Sequence, residues 1–129
     1  MKVIMFQNRF APKVKDGSKP QTIRGMRKKP IKSGDELSLR RWIGKPYRSK
    51  QEVLREAVCL DVKAIEIHDD KVRFGKFGET VTNLGRMESL SDFAIKDGFA
   101  SWDEMKGWFK TTHGLPFVGV LIEWKCKES

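Results

Sequence analysis

Two apolar runs constrain the fold of this chain more than anything else in it. Residues 117 to 126 read FVGVLIEWKC, apolar on both faces for much of their length, and such a strand belongs in the centre of a curled sheet or barrel. Val53 to Ile67 is β-branched and apolar enough for a second, long strand, with alternation at Val58, Leu60 and Val62 and a second set at Ala64. Shorter strands fit around these two. Val3 to Phe6 opens the chain, Leu37 and Leu39 alternate within residues 36 to 41, Gln21 to Arg24 is extended after Pro20, and Lys71 to Phe77 faces a partner run from Glu79 to Asn83.

Helix signals are few and local. Asn8 is placed to cap a brief helix that Gly17 ends in a left-handed turn. Ser89 is placed to cap Leu90 to Asp97, with Gly98 and Phe99 completing a Schellman ending. Ser101 and Glu104 form a capping box for a second helix over 101 to 112, whose stripe of Trp102, Met105, Trp108 and Phe109 reads as core. The prediction is one α+β domain spanning residues 1 to 129: a small β-barrel of about six strands with an early short helix and a late helical pair.

Charge is distributed unevenly along this frame. Residues 1 to 55 hold 16 Lys and Arg against 4 Asp and Glu, whereas residues 56 to 129 hold 10 against 13. A basic half of this kind suits a polyanion, because clustered cations release the counterions condensed on nucleic acid. A solvated face kept for solubility is the blander alternative, above all for the turn Arg27, Lys28 and Lys29. Cys59 and Cys126 lack metal spacing or a disulfide framework, and His68 and His113 lack ligand-spaced companions, so the expectation is no metal and no cofactor. With no signal-like run and no long apolar stretch, the chain reads as cytoplasmic and free of the membrane.

The candidate site follows from side-chain direction. On an extended segment Thr22 and Arg24 share a face, so a hydroxyl and a guanidinium address one ligand together, with Lys19 nearby as a point charge. An ordinary strand hydroxyl, and a salt bridge from Arg24 to Asp97, explain the same residues without a ligand. Residues 42 to 51, WIGKPYRSKQ, form a lid-like Gly/Pro loop after Arg40, where Trp42, Tyr47 and Arg48 offer the aromatic and cationic mixture that stacks on unpaired bases. Equally, Trp42 finishes a strand into the core and Tyr47 pins the loop.

Three motifs stand in order along nearly the whole chain: Gly17-Ser18-Lys19-Pro20-Gln21-Thr22-Ile23-Arg24, then Gly34-Asp35-Glu36-Leu37, then Ala94-Ile95-Lys96-Asp97-Gly98-Phe99-Ala100-Ser101-Trp102 before the closing strand. Together they resemble the ASCH domain family, a branch of the PUA-like β-barrels associated with RNA. The resemblance implies a PUA-like barrel and a partner that is RNA or a modified nucleoside, held by Arg24, Arg27, Lys28, Lys29, Arg40, Trp42, Tyr47 and Arg48 in a basic cleft between barrel and helical pair. One enzymatic branch of that family, the acetylcytidine amidohydrolases, works with a Lys, a Thr and a Glu, roles that fall by position on Lys19, Thr22 and Asp97. The resemblance thus implies a route in which Lys19, lowered in pKa by burial beside Arg24, deprotonates the Thr22 hydroxyl. Asp97 is one methylene shorter than Glu, Pro20 stands where a hydroxyl residue is common, and the loop after Trp42 is an addition to the smallest enzymes. Binding of RNA or a nucleoside is the expected function. Deacylation of a nucleoside, or cleavage of single-stranded RNA by the same three residues, is the enzymatic alternative, and an adaptor for an acidic protein is a third.

Overall fold

The computed structural model describes residues 1–76 and 81–127. It is an α+β arrangement of seven strands and three helices among the described residues: β1 (Lys2–Phe6), α1 (Ala11–Asp16), β2 (Gln21–Arg24), β3 (Glu36–Trp42), β4 (Gln51–Ile67), β5 (Val72–Gly75), β6 (Thr82–Leu84), α2 (Met87–Lys96), α3 (Trp102–Thr112) and β7 (Phe117–Cys126). No helix is long and apolar enough to cross a membrane.

The two apolar runs are central, as their composition demands. One edge of β4 carries β3 along its first half and β5 along its last residues, while the other edge carries β7. The far side of β7 pairs with β2, and β3 pairs in parallel with β1. Beyond β5 lies β6; the expected partner run began at Glu79, and residues 79 and 80 lie outside the described residues.

The expected face of β4 is wrong, for a geometric reason. Leu54 and Leu60 are each an extra residue opposite a continuous partner, one in the ladder with β3 and one in the ladder with β7. Each bulge shifts the side-chain alternation by one and bends the strand. Leu60 itself stands 56% exposed, and the buried residues are Ala57 and Cys59 before that bulge and Ile65 and Ile67 beyond it, on opposite faces of the strand, in place of Val58, Leu60 and Val62. Those residues meet Leu37, Leu39, Leu121 and Trp124 from the sheet and Phe93, Trp102, Met105 and Phe109 from the helices in one core. Each large apolar side chain buried there contributes about 1.5–3 kcal/mol.

Helix ends follow local chemistry where glycine or a hydroxyl is involved. Gly17 and Gly98 take left-handed φ values of 86° and 95°, and the Phe99 amide donates to the Ala94 carbonyl as a Schellman ending requires. Ser101 accepts from the Glu104 amide, but the Glu104 carboxylate bonds Arg9 instead of closing the capping box. Asn8 and Ser89 are not caps: α1 starts from Phe10, and α2 starts from Arg86 with Ser89 inside its first turn.

The sheet is also not closed into the expected barrel. β2 spends its four residues on β7, and no backbone ladder joins β1 to β2 among the described residues. The loop after β2 instead follows the free edge of β1 with side-chain donors. Arg24 Nη2 donates to the Met5 carbonyl at 2.6 Å, Arg27 Nη1 reaches the Val3 carbonyl at 3.4 Å, and Lys2 Nζ donates to the Pro30 carbonyl at 2.6 Å. Carbonyls two residues apart point to the same strand edge, so guanidinium groups satisfy what a neighbouring strand would otherwise bond.

Candidate functional site

This seam between β1 and β2 opens into a cavity of about 190 Å³, covered by the α2–α3 pair. Lys19, Thr22, Arg24 and Asp97 all line it, together with Phe6, Phe10, Phe99, Trp108, Phe109, His113 and Phe117. Four residues drawn from two distant motifs thus meet at one polar floor beneath aromatic walls.

Each is brought there by a local device. Gly17 turns the chain out of α1, and the Lys19 amide donates back to the Lys13 carbonyl, which sends the Lys19 side chain inward. Asp97 ends α2, where Gly98 reverses the backbone and leaves the Asp97 carbonyl free to face the lysine. Lys19 Nζ donates to that carbonyl at 2.5 Å and to Asp97 Oδ1 at 3.3 Å. A cation here also complements the negative end of the helix. Thr22 and Arg24 share a strand face, and Arg24 Nε donates to Thr22 Oγ1 at 3.1 Å. Gly119 permits this placement, because a Cβ there would lie 2.3 Å from the Arg24 carbonyl. The cations sit over ring faces, Lys19 5.0 Å from the Phe10 centroid and Arg24 5.0 Å from that of Phe6.

Burial dominates the electrostatics. Lys19 is 2% exposed and Asp97 3%. Loss of water pushes the Lys19 amine below its usual pKa, the Asp97 charge opposes this, and Arg24 and Lys13 push it further down. Burial pushes the Asp97 carboxyl up, against the pull of Lys19, Gln21 and Arg24. Gln21 faces Asp97 electrostatically, yet its Nε2 is buried without a partner at hydrogen-bond length. Two cations against one carboxylate leave the floor net positive when all three are charged, a suitable place for an acceptor-rich or anionic group.

The Arg24–Asp97 salt bridge that stood as the alternative to a ligand is absent: Lys19 takes Asp97, while Arg24 turns to Thr22 and the Met5 carbonyl. No hydrogen bond joins Lys19 to Thr22 either, so the hydroxyl's observed partner is the guanidinium. Among the other candidates, Arg27, Lys28 and Lys29 are exposed on the loop beside β1, away from the cavity lining. Arg40 is engaged with Ser38 on its own strand and with Gln51 at the start of β4. Trp42 ends β3, half-buried, with its ring 5.3 Å from that of Tyr47, while Tyr47 and Arg48 lie on the β3–β4 loop and Tyr47 is 88% exposed instead of pinning it. Among the described residues no group of three or more His, Cys, Asp or Glu could hold a metal ion.

Sequence reasoning missed the walls. Trp108 reads as core, but it stands off the Trp102, Met105 and Phe109 stripe and reaches the cavity from its side. Its offset of one residue from Phe109, about 100° round the helix, is the signal that separates it from the buried stripe. Phe6, Phe10 and Phe99 carry no comparable signal, because each becomes a wall only when three separate elements meet.

The chain matches no family model, no curated protein and no solved structure.

Gly98 offers a direct test of the floor. A Cβ there would lie 2.9 Å from Lys19 Cδ and 3.0 Å from Phe10 Cδ1, whereas one on Gly17 would meet nothing within 4 Å. Both glycines have positive φ. Gly17→Ala is therefore expected to cost only the backbone strain, about 1–2 kcal/mol in urea denaturation. Gly98→Ala pays the same strain and also displaces Lys19, so it lowers stability further. Equal losses for the two variants would mean that the lysine is not held against Gly98.

Proposed function

We propose that this chain is an ASCH-type domain that binds a nucleoside modified on its base, with the base inside the seam cavity. On this reading the open sheet is a PUA-like barrel whose seam is bridged by Arg24 and Arg27, and the protein works in the reducing cytoplasm with Cys59 and Cys126 free. The observation that carries the proposal is the floor of buried Lys19, Thr22 and Asp97 with half-buried Arg24, under Phe6, Phe10, Phe99 and Trp108. Aromatic walls suit a planar ring, and the floor supplies donors and acceptors to its edge. At about 190 Å³ the space is below the roughly 300–1,000 Å³ typical of drug-sized ligands, which favours one base over a stretch of polymer.

Calorimetric titration with acetylated and unmodified cytidine tests this. Saturable binding is expected for the acetylated nucleoside, weakened about tenfold or more by Trp108→Ala, a stacking loss, and similarly by Arg24→Ala, which removes a charged donor. No heat from any of a panel of acylated nucleosides would remove the proposal.

A second reading, deacylation, is favoured by the lysine amine lowered in pKa within the cavity that also holds the Thr22 hydroxyl. Neutral Lys19 would take the Thr22 proton as Oγ1 attacks the acyl carbon. The tetrahedral adduct would then expel the base's amine, which receives that proton, and leave an acyl ester on Thr22. Water would cleave the ester, releasing the carboxylic acid and restoring the hydroxyl. Arg24, donating to Oγ1, stabilises negative charge on that oxygen.

A further inference from the structure

Of the two cations on the floor of the seam cavity, only one has a counter-ion. Lys19 Nζ lies 3.3 Å from Asp97 Oδ1, and that pair carries no net charge whether its proton sits on the amine or on the carboxyl. Arg24 makes no ion pair among the described residues, and Asp97 is the only acidic residue among them that lines the cavity. Its partners are neutral: the Thr22 hydroxyl, the Met5 carbonyl and the face of the Phe6 ring. Arg9 and Arg41, by contrast, are paired with Glu104 and Glu52. Loss of water disfavours the Arg24 charge, Asp97 opposes this from beyond ion-pair range, and Arg27 adds to it. An anion entering beside the guanidinium would supply the partner that the fold withholds.

The donors left over define the shape of that anion. Two of the five guanidinium N–H groups are used, Nε on Thr22 Oγ1 at 3.1 Å and Nη2 on the Met5 carbonyl at 2.6 Å, so three remain, both on Nη1 among them. Thr22 Oγ1 accepts from Arg24 and keeps its own proton to donate. Two hydrogen bonds and the Phe6 face already fix the guanidinium plane. A planar carboxylate matches one edge of that plane, whereas a tetrahedral phosphate brings a third oxygen and a second charge, with no other unpaired Lys or Arg among the described lining residues to meet them. Beyond the donors the walls are rings, Phe10 standing edge-on to Phe99 at 5.2 Å between centroids and to Trp108 at 6.2 Å, so the space of about 190 Å³ suits a flat group.

We infer that the ligand is a planar ring bearing a carboxylate: the carboxylate accepts from Arg24 Nη1 and from the Thr22 hydroxyl, and the ring lies among Phe6, Phe10, Phe99 and Trp108. This rests on the nucleoside reading above for the ring in the cavity, and it makes the preferred modification of the base an acidic one. An uncharged acyl group enters the same cavity but leaves the Arg24 charge without an anion.

Calorimetric titration with two matched pairs tests the inference: benzoate against benzamide, and cytidine-5-carboxylate against cytidine-5-carboxamide. Acid and amide share a shape, so the ratio of their affinities reads the charge. Each acid is expected to bind about tenfold or more tighter than its amide, the usual gain from hydrogen bonds to charged groups. Arg24→Gln should bring acid and amide level, since it removes the cation and keeps a donor. Should that variant fail to fold, thermal denaturation of the parent gives the same comparison, the acid raising the melting temperature more than the amide at equal concentration. Amides that bind as tightly as the acids, or an acid preference that persists in folded Arg24→Gln, would overturn the inference and leave the nucleoside reading standing. Phenyl phosphate binding as tightly as benzoate would overturn the assignment to a carboxylate. Benzoate preferred over benzamide, with no binding of either nucleoside, would keep the acid and remove the nucleoside.

Discussion

Asp97→Ala is expected to lower stability by about 3–5 kcal/mol, the usual cost of leaving one member of a buried ion pair without its partner. For a domain of this size that corresponds to a melting temperature roughly 10–20 °C lower. The reason lies in the position of Lys19, which is 2% exposed and has only the Asp97 carbonyl and carboxylate as acceptors. Removing the carboxylate leaves desolvation, Arg24 and Lys13 all acting against the charged amine. The pKa of Lys19, already below its usual 10.5 in the folded chain, falls further. The unfolded chain then holds a proton that the folded chain has lost, so stability of the variant rises with pH through the window below 10.5. Urea denaturation at neutral and at mildly alkaline pH should show the deficit shrinking. The double variant Lys19→Met with Asp97→Leu should regain most of the stability, because apolar replacement of a buried pair is often neutral or better, while ligand binding stays lost. A single variant as stable as the parent would show that water reaches the amine and that the floor is not sealed.

If the cavity deacylates nucleosides, Thr22→Ala and Lys19→Ala are each expected to lower acetate release by about a thousandfold or more while remaining folded, since nucleophile and base act as a unit. Thr22→Ser keeps the hydroxyl and should keep most of the activity. In the parent protein the rate should rise with pH in the window below 10.5, because burial brings deprotonation of Lys19 into that range and only the neutral amine accepts a proton. Lys19→Arg should abolish that dependence along with the activity, as a guanidinium holds its proton throughout. Chromatography of the nucleoside products, with mass spectrometry of the Thr22 peptide for a trapped acyl ester, measures both steps. Product no greater than a no-enzyme control across neutral and mildly alkaline pH would sink the deacylation reading without touching binding.

What could be read from the chain by itself is what depends on neighbours in sequence. The turns at Gly17 and Gly98 need a positive φ, the Ser101 cap needs one amide three residues on, and the two apolar runs need a central place in the sheet. The shared face of Thr22 and Arg24 follows from strand alternation alone. Bulges at Leu54 and Leu60 escaped detection, because they arise from how β4 curves between three partners and then invert which of its residues are buried. Tertiary structure decided the rest. Lys19 and Asp97 are 78 residues apart, and their pairing in place of Arg24 with Asp97 depends on where α2 ends relative to the seam. The same seam, left open because β2 is consumed by β7, turns Phe6, Phe10, Phe99 and Trp108 from plain apolar residues into the walls of a cavity. Local conformational preference is written residue by residue, whereas a cavity is a property of packing between elements, and no single segment carries it.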